Sequence, residues 1–271
     1  MDEQDAVKEL AAIREVGKWW CSISISHAPM VSRGAPSDAL DLDCVTAWES
    51  YYRTLTNDYL FPNEFVVRSF LGTYPNLSMN HDYRGKRVCD VSCGDGRNLT
   101  LLHSLGLDLH ATELTSEICD ITRRRLLQHR ARIAVEIRAG SNRALPFPGG
   151  YFDYLLSWNA CYYMSSERAG IREHVHEYAR VLKPGGFLVC SVPAPDCFTL
   201  VGAEELGNDR IRINTRTKWD MLNGMIYYRF RSLDHIKEVF GARFTDFETA
   251  TILDDCYGTT LSYFVFVCRA R

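Results

Sequence analysis

From about residue 85 the chain alternates short, unbroken apolar runs with segments whose apolar residues recur at helical spacing. The runs at 86–91, 107–112, 133–138, 151–157 and 187–192 read as strands. Helical spacing fills the gaps, from Asn98, over 116–130 and over 167–182, the last stopped by Lys183-Pro184-Gly185-Gly186. Strands that are apolar at consecutive positions are covered on both faces, and strand–helix alternation makes neighbouring strands parallel. The rhythm breaks near the end. After a helix at 232–240, two long strand signals, 243–251 and 260–268, stand a turn apart. A connection that short joins only antiparallel strands. The prediction is an α/β fold, a mostly parallel sheet finished by an antiparallel C-terminal hairpin.

In an open parallel sheet, ligands bind at the carboxyl ends of the strands. The first predicted strand ends in Asp90-Val91-Ser92-Cys93-Gly94-Asp95-Gly96-Arg97-Asn98. Gly94 and Gly96 leave no side chain between backbone and ligand, and Asp90 offers an acceptor. A dinucleotide fingerprint requires a third glycine where Leu99 stands, which argues against a pyrophosphate and an NAD-dependent reductase. Glu113 ends the second strand, where a carboxylate can accept both hydroxyls of a ribose.

Composition narrows the class. With 46% hydrophobic residues in 271, the chain is neither disordered nor fibrous. Its 31 Lys and Arg against 34 Asp and Glu give a weak field that argues against a dedicated duplex-binding surface and leaves room for a local basic patch. No apolar run approaches the roughly 18 residues of a membrane helix. The start, Met1-Asp2-Glu3-Gln4-Asp5, is acidic where an export signal is basic, so a cytoplasmic protein is expected. The 10 cysteines are scattered without a C-x-x-C pair and read as reduced core thiols, with no metal site. His174 and His176 are two apart and diverge on a helix.

These residues resemble the class I S-adenosylmethionine-dependent methyltransferases. Asp90 to Gly96 matches their glycine-rich motif, with Ser92 in place of the first glycine, and Glu113 matches their ribose-binding acid. Leu145-Pro146-Phe147 with Phe152-Asp153-Tyr154 matches the approach to their fourth strand. Ala179-Arg180-Val181-Leu182-Lys183-Pro184-Gly185-Gly186-Phe187-Leu188 matches the turn before their fifth. The resemblance covers about residues 47–271 and implies a Rossmann-like sheet of seven strands. It implies S-adenosylmethionine as cofactor and S-adenosylhomocysteine as product. By the same resemblance, the cofactor would meet Asp90, Ser92, Cys93, Gly94, Gly96, Asn98, Glu113, Leu114, Ser157 and Tyr59, with Ser141 and Asn142 near the adenine. Many relatives place an Asp in the Gly140-Ser141-Asn142 segment, and this chain does not.

A closer likeness, to bacterial methyltransferases of surface-polysaccharide and secondary-product genes, is carried by three phrases. They are Thr56-Asn57-Asp58-Tyr59, Pro62-Asn63-Glu64-Phe65-Val66-Val67-Arg68 and Gly94-Asp95-Gly96-Arg97-Asn98. It implies biosynthetic methyl transfer to an oxygen or nitrogen of a small molecule, with a sugar or similar polar metabolite favoured. Tyr162, Tyr163 and Asn159 follow the fourth strand and are the candidates to orient the acceptor. Packing under the cofactor, or a cap, would account for them equally. Asp196 and Glu204 are placed as possible bases, and each also reads as an ordinary loop carboxylate.

The alternatives are a protein or RNA methyltransferase and a non-catalytic cofactor-binding module. The Arg123-Arg124-Arg125 cluster could suggest RNA but reads better as a solvated helix face. Residues 1–84 are expected to form a helical extension, with a helix at 6–20 and a Pro/Gly/Ser-rich link at 26–38. In that extension Tyr51, Tyr52 and Tyr59 could close over the cofactor. The methyltransferase domain is 85–271, with 193–231 an aperiodic substrate-binding lid in which Tyr227-Tyr228-Arg229 lines the site or forms one more strand. A monomer or homodimer is expected.

Overall fold

The computed structural model describes residues 42–55, 59–167, 169–216 and 219–271. The helix and link expected at 6–20 and 26–38 lie outside them, as do Thr56, Asn57 and Asp58.

A seven-stranded sheet organises the chain. It comprises β1 (Arg87–Asp90), β2 (Asp108–Glu113), β3 (Glu136–Ala139), β4 (Phe152–Trp158), β6 (Leu182–Pro193), β10 (Phe244–Cys256) and β11 (Thr259–Ala270), in the order β10-β11-β6-β4-β1-β2-β3. β1, β2, β3, β4 and β6 are mutually parallel, whereas β11 runs antiparallel to both β6 and β10. The apolar runs cause this. Along β1, Val88 joins the apolar cluster on one face and Cys89 the cluster on the other. Along β4, Tyr154 and Leu156 take the first face while Phe152 and Leu155 take the second. A strand buried on both sides has no room for polar alternation.

Among the described residues six helices complete the frame: α1 (Leu42–Thr54), α2 (Glu64–Leu71), α3 (Arg97–Ser104), α4 (Ser116–Gln128), α5 (Ile171–Val181) and α6 (Leu233–Phe240). Side-chain caps start three of them. Asn63 accepts from the Phe65 amide, Thr115 from Ile118 and Ser232 from His235, each satisfying an amide the helix leaves unpaired. The expected stop of α5 falls at Val181. The Lys183–Gly186 segment is an excursion within β6, since Leu182 pairs with Phe152 but pairing resumes only at Phe187 with Tyr154.

The 193–231 insertion is not aperiodic. β7 (Glu204–Gly207), β8 (Arg210–Arg212) and β9 (Ile226–Tyr228) form a second sheet, which recruits β5 (Tyr163–Met164) from just after β4, in the order β5-β9-β8-β7. Tyr227 and Tyr228 are therefore strand residues, and Tyr163 pairs with Tyr227. Exposed ion pairs stitch this sheet, Arg212 to Glu204 and Glu167, and Arg229 to Glu205.

Candidate active site

The carboxyl edge of the sheet is built around β1. Its last residues turn sharply, with Ser92, Gly94 and Gly96 all at positive φ (54°, 63° and 82°). Ser92 thus holds a left-handed conformation that costs an L-residue roughly 1 kcal/mol or more and that glycine adopts freely. The turn is pinned by neighbours. The Ser92 amide donates to the Thr112 hydroxyl, the Cys93 amide to the Thr112 carbonyl, and the Thr122 hydroxyl to the Gly94 carbonyl. A Cβ on Gly94 would stand 2.9 Å from the Tyr52 hydroxyl, and one on Gly96 would press on Leu126 at 3.1 Å. Both glycines are thus needed for close approach, Gly94 to the tyrosine above it and Gly96 to α4.

Three carboxylates converge here. Glu113, 5% exposed, accepts from the Gly94 amide at 2.6 Å and from the Leu114 amide at 2.9 Å. Burial pushes its pKa from 4.5 up to about 7, against those two hydrogen bonds and with Asp95 adding to the rise. Asp95 is held in a fork by Arg97, whose Nη2 lies 2.7 Å from Oδ2. Asp90 is 1% exposed, and its Oδ2 is buried without a partner. Burial raises its pKa, with Glu113 and Asp95 contributing. A buried carboxylate oxygen left unpaired is costly unless a ligand completes it.

α1 lies over this turn. Trp48, Tyr51 and Tyr52 share one helical face, and Trp48 stacks on Tyr52 at 5.8 Å. Arg53 grips Glu117 of α4 through two hydrogen bonds of 2.6 and 2.8 Å, and Arg125 donates to the Leu55 carbonyl. Beyond β4, an aromatic cluster joins α1 to the small sheet. Tyr163 packs on Trp48 at 5.7 Å, on Tyr162 at 4.8 Å and on Tyr227 at 4.6 Å. Burial raises the hydroxyl pKa of Tyr162 well above 10 and that of Tyr163 to about 12. Both keep their protons at neutral pH.

Cys93, Gly94, Gly96 and Leu114 belong to the turn and its partner strand as described. Asn98 is buried at the start of α3 and accepts from the Asn63 amide, which ties α2 to the turn. Ser157 is buried and Asn142 half-buried, and Tyr178 links the two. The Ser157 hydroxyl meets that of Tyr178 at 3.0 Å, Tyr178 donates to Asn142 Oδ1, and Asn142 Nδ2 donates to the Ala160 carbonyl. Each polar end of Asn142 thus makes one bond within the protein, with one lone pair and one N–H still to place.

Ser141 lines a surface cleft of about 610 Å³ beside Arg143, Arg172 and His176. Asn159, at φ 55°, uses Oδ1 to accept from Ser191. Tyr59 is 57% exposed and stacks on Phe61, while Tyr52 is the tyrosine over the glycine turn. Of the two proposed bases, Asp196 is exposed and Glu204 pairs with Arg212. Trp158 ends β4 with its indole nitrogen buried and without a partner, a feature no residue pattern signals. His174 donates from Nδ1 to the Cys161 carbonyl from a buried position, and burial lowers its pKa to about 4. Arg123 is engaged by Asp120 and the Ile137 carbonyl on one face of α4. Among the described residues no cluster of three or more His, Cys, Asp or Glu could hold a metal, and no helix is long and apolar enough to cross a membrane. Cys89, Cys93, Cys119, Cys161, Cys190, Cys197 and Cys268 are buried free thiols.

Residues 88–186, from β1 through the start of β6, match the family model described as a methyltransferase domain. A demethylmenaquinone methyltransferase of Symbiobacterium thermophilum is 28% identical over 119 residues, which cover 42% of this chain and 45% of that one. A ubiquinone biosynthesis O-methyltransferase of Roseobacter denitrificans is 22% identical, over 53% of this chain and 57% of its own length. The chain thus spans about half the length of the curated relatives it matches. Among solved structures, a Burkholderia thailandensis 1,6-didemethyltoxoflavin N1-methyltransferase aligns over 88% of this chain and 93% of its own. Its TM-score is 0.56 and its identity 17%, and it holds 1,6-didemethyltoxoflavin and S-adenosylhomocysteine. With the seven-stranded order and the antiparallel hairpin, these matches show that residues 88–186 are similar to a methyltransferase domain and that the chain has the fold of the class I methyltransferases.

Proposed function

We propose that this chain transfers a methyl group from S-adenosylmethionine to an oxygen or nitrogen of a small-molecule acceptor. The observation that carries the reading is the carboxyl edge of β1 and β2. Glu113 ends β2 as a buried acceptor, and Asp90 carries a buried oxygen with no partner beside it. The residues fit the cofactor. Gly94 offers bare backbone under Tyr52, Glu113 can accept ribose hydroxyls in exchange for its two amides, and the unpaired Asp90 oxygen suits an ammonium group. Three converging carboxylates with one arginine among them also suit a ligand that brings positive charge. When bound, the cofactor supplies an electrophilic methyl group on positive sulfur.

This chain's residues then have to align the acceptor and keep water out. Tyr162 and Tyr163, protonated at neutral pH, serve as hydrogen-bond donors and as a flat wall rather than as bases. The aromatic cluster of Trp48, Tyr163 and Tyr227 shields the region between α1 and the small sheet. Support for a small acceptor comes also from the curated relatives, one named for demethylmenaquinone and one an O-methyltransferase of ubiquinone biosynthesis. A flat ring fits such an aromatic wall better than the polar sugar suggested by the sequence. The test is a panel of hydroxylated and amino-bearing acceptors, both aromatic and sugar, with S-adenosylhomocysteine release as readout. Release with at least one small acceptor is expected, and release only with protein or RNA would refute the reading.

A further inference from the structure

The proposed cofactor site leaves one end of the ligand unassigned, the carboxylate of its amino-acid portion. Strand register locates a candidate partner. Asp90 of β1 pairs with Ala111 of β2 on one side and with Leu156 of β4 on the other. Side chains alternate along a strand, so residues two beyond a paired position return to the same face. Glu113 lies two beyond Ala111, and Trp158 lies two beyond Leu156. Three neighbouring strands thus present Glu113, Asp90 and Trp158 on one face at their carboxyl ends, with Asp90 in the middle. The strand spacing of about 4.8 Å puts the outer two roughly 10 Å apart.

The packing agrees with the register. Trp158 lies against the apolar cluster of Val88, Tyr154 and Leu156, on the Asp90 face of the sheet. Its Nε1 is buried without a partner, as is Asp90 Oδ2. Indole N–H is a donor only, and a carboxylate is an acceptor only. An unmatched donor and an unmatched acceptor on the same face of neighbouring strands complement a group that carries both charges.

We infer that Trp158 is a cofactor-binding residue whose indole N–H receives the amino-acid carboxylate of S-adenosylmethionine, so that the ligand spans β2, β1 and β4 with its ribose at Glu113. The assignment rests on the proposed cofactor reading and extends it to a residue outside the glycine turn. It makes a discriminating demand, because a ligand without the amino-acid arm cannot use this donor.

The experiment titrates wild-type protein and Trp158→Phe with S-adenosylhomocysteine and with 5′-methylthioadenosine, which lacks the amino-acid arm, by calorimetry. Phe keeps an aromatic ring against the cluster but removes the N–H together with part of the indole, and the methylthioadenosine titration separates that lost packing from the lost donor. A hydrogen bond to a charged group predicts that the variant loses roughly 10- to 100-fold in affinity for S-adenosylhomocysteine. Its affinity for methylthioadenosine should stay at the wild-type value, which also shows that the variant is folded. Unchanged affinity for S-adenosylhomocysteine, or an equal loss for both ligands, would overturn the assignment. Wild-type protein that binds neither ligand would instead overturn the cofactor reading beneath it.

Discussion

Glu113→Gln separates the electrostatics of the site from its fold. In the folded chain Glu113 ionises at about 7 rather than 4.5, because burial disfavours its charge. An acid whose pKa is raised by folding binds more protons folded than unfolded. Stability therefore falls as pH rises from 4.5 through 7 and levels off above. At about 1.4 kcal/mol per pH unit, the full difference is about 3 kcal/mol, of which about 2–3 kcal/mol develops between pH 5 and pH 8. Gln cannot ionise, so the variant should lack that slope. It pays instead a pH-independent cost of about 1–3 kcal/mol, since its amide cannot accept from both the Gly94 and Leu114 amides. Urea denaturation of both proteins at pH 5, 6, 7 and 8 measures the two quantities separately. The wild-type advantage should shrink by about 2–3 kcal/mol across that range. Curves for the two proteins that run parallel with pH would show that Glu113 ionises normally and that the converging carboxylates impose no strain.

Two further outcomes are expected. Ser92→Gly should leave stability unchanged or raise it by up to about 1 kcal/mol, since glycine relieves the left-handed φ of 54° but loses more chain entropy; a clear loss in chemical denaturation would mean the hydroxyl is structural. Arg53→Ala should leave the melting temperature nearly unchanged, because its bond to Glu117 is exposed. Yet it should speed S-adenosylhomocysteine release in stopped-flow fluorescence by loosening α1, which carries Tyr52 over Gly94; an unchanged release rate would count against α1 as a lid.

The main sheet was legible because each of its strands states its environment. β1, β4 and the second half of β6 are apolar at consecutive positions, and burial on both faces is the only solution for such segments. The hairpin followed from one short turn. The small sheet was not legible, for a physical reason. β7 is short and mostly exposed, β8 buries Ile211 alone, and charge pairs such as Arg212 with Glu204 hold them, which leaves no apolar period to read. Its fourth strand is two residues borrowed from beyond β4, and only the fold brings Tyr163 against Tyr227.

Site residues divide along the same line. Glu113 and the glycines follow from local chain geometry, since a strand end and a tight turn put them at the edge. The inward use of Asn142 depends on Tyr178 reaching it from α5, 36 residues away, and no local pattern announces that. That Tyr52 stands over Gly94 depends on how α1 is anchored through Arg53 and Arg125. Trp158 becomes informative only once its nitrogen is seen buried without a partner.

Calorimetric titration of the wild-type chain with S-adenosylmethionine, set beside NADH, tests the central claim most directly. Saturable one-site binding of S-adenosylmethionine is predicted, weakened strongly in a folded Glu113→Ala variant, with no heat from NADH. Binding of NADH in preference, or an affinity for S-adenosylmethionine indifferent to Glu113, would contradict the account.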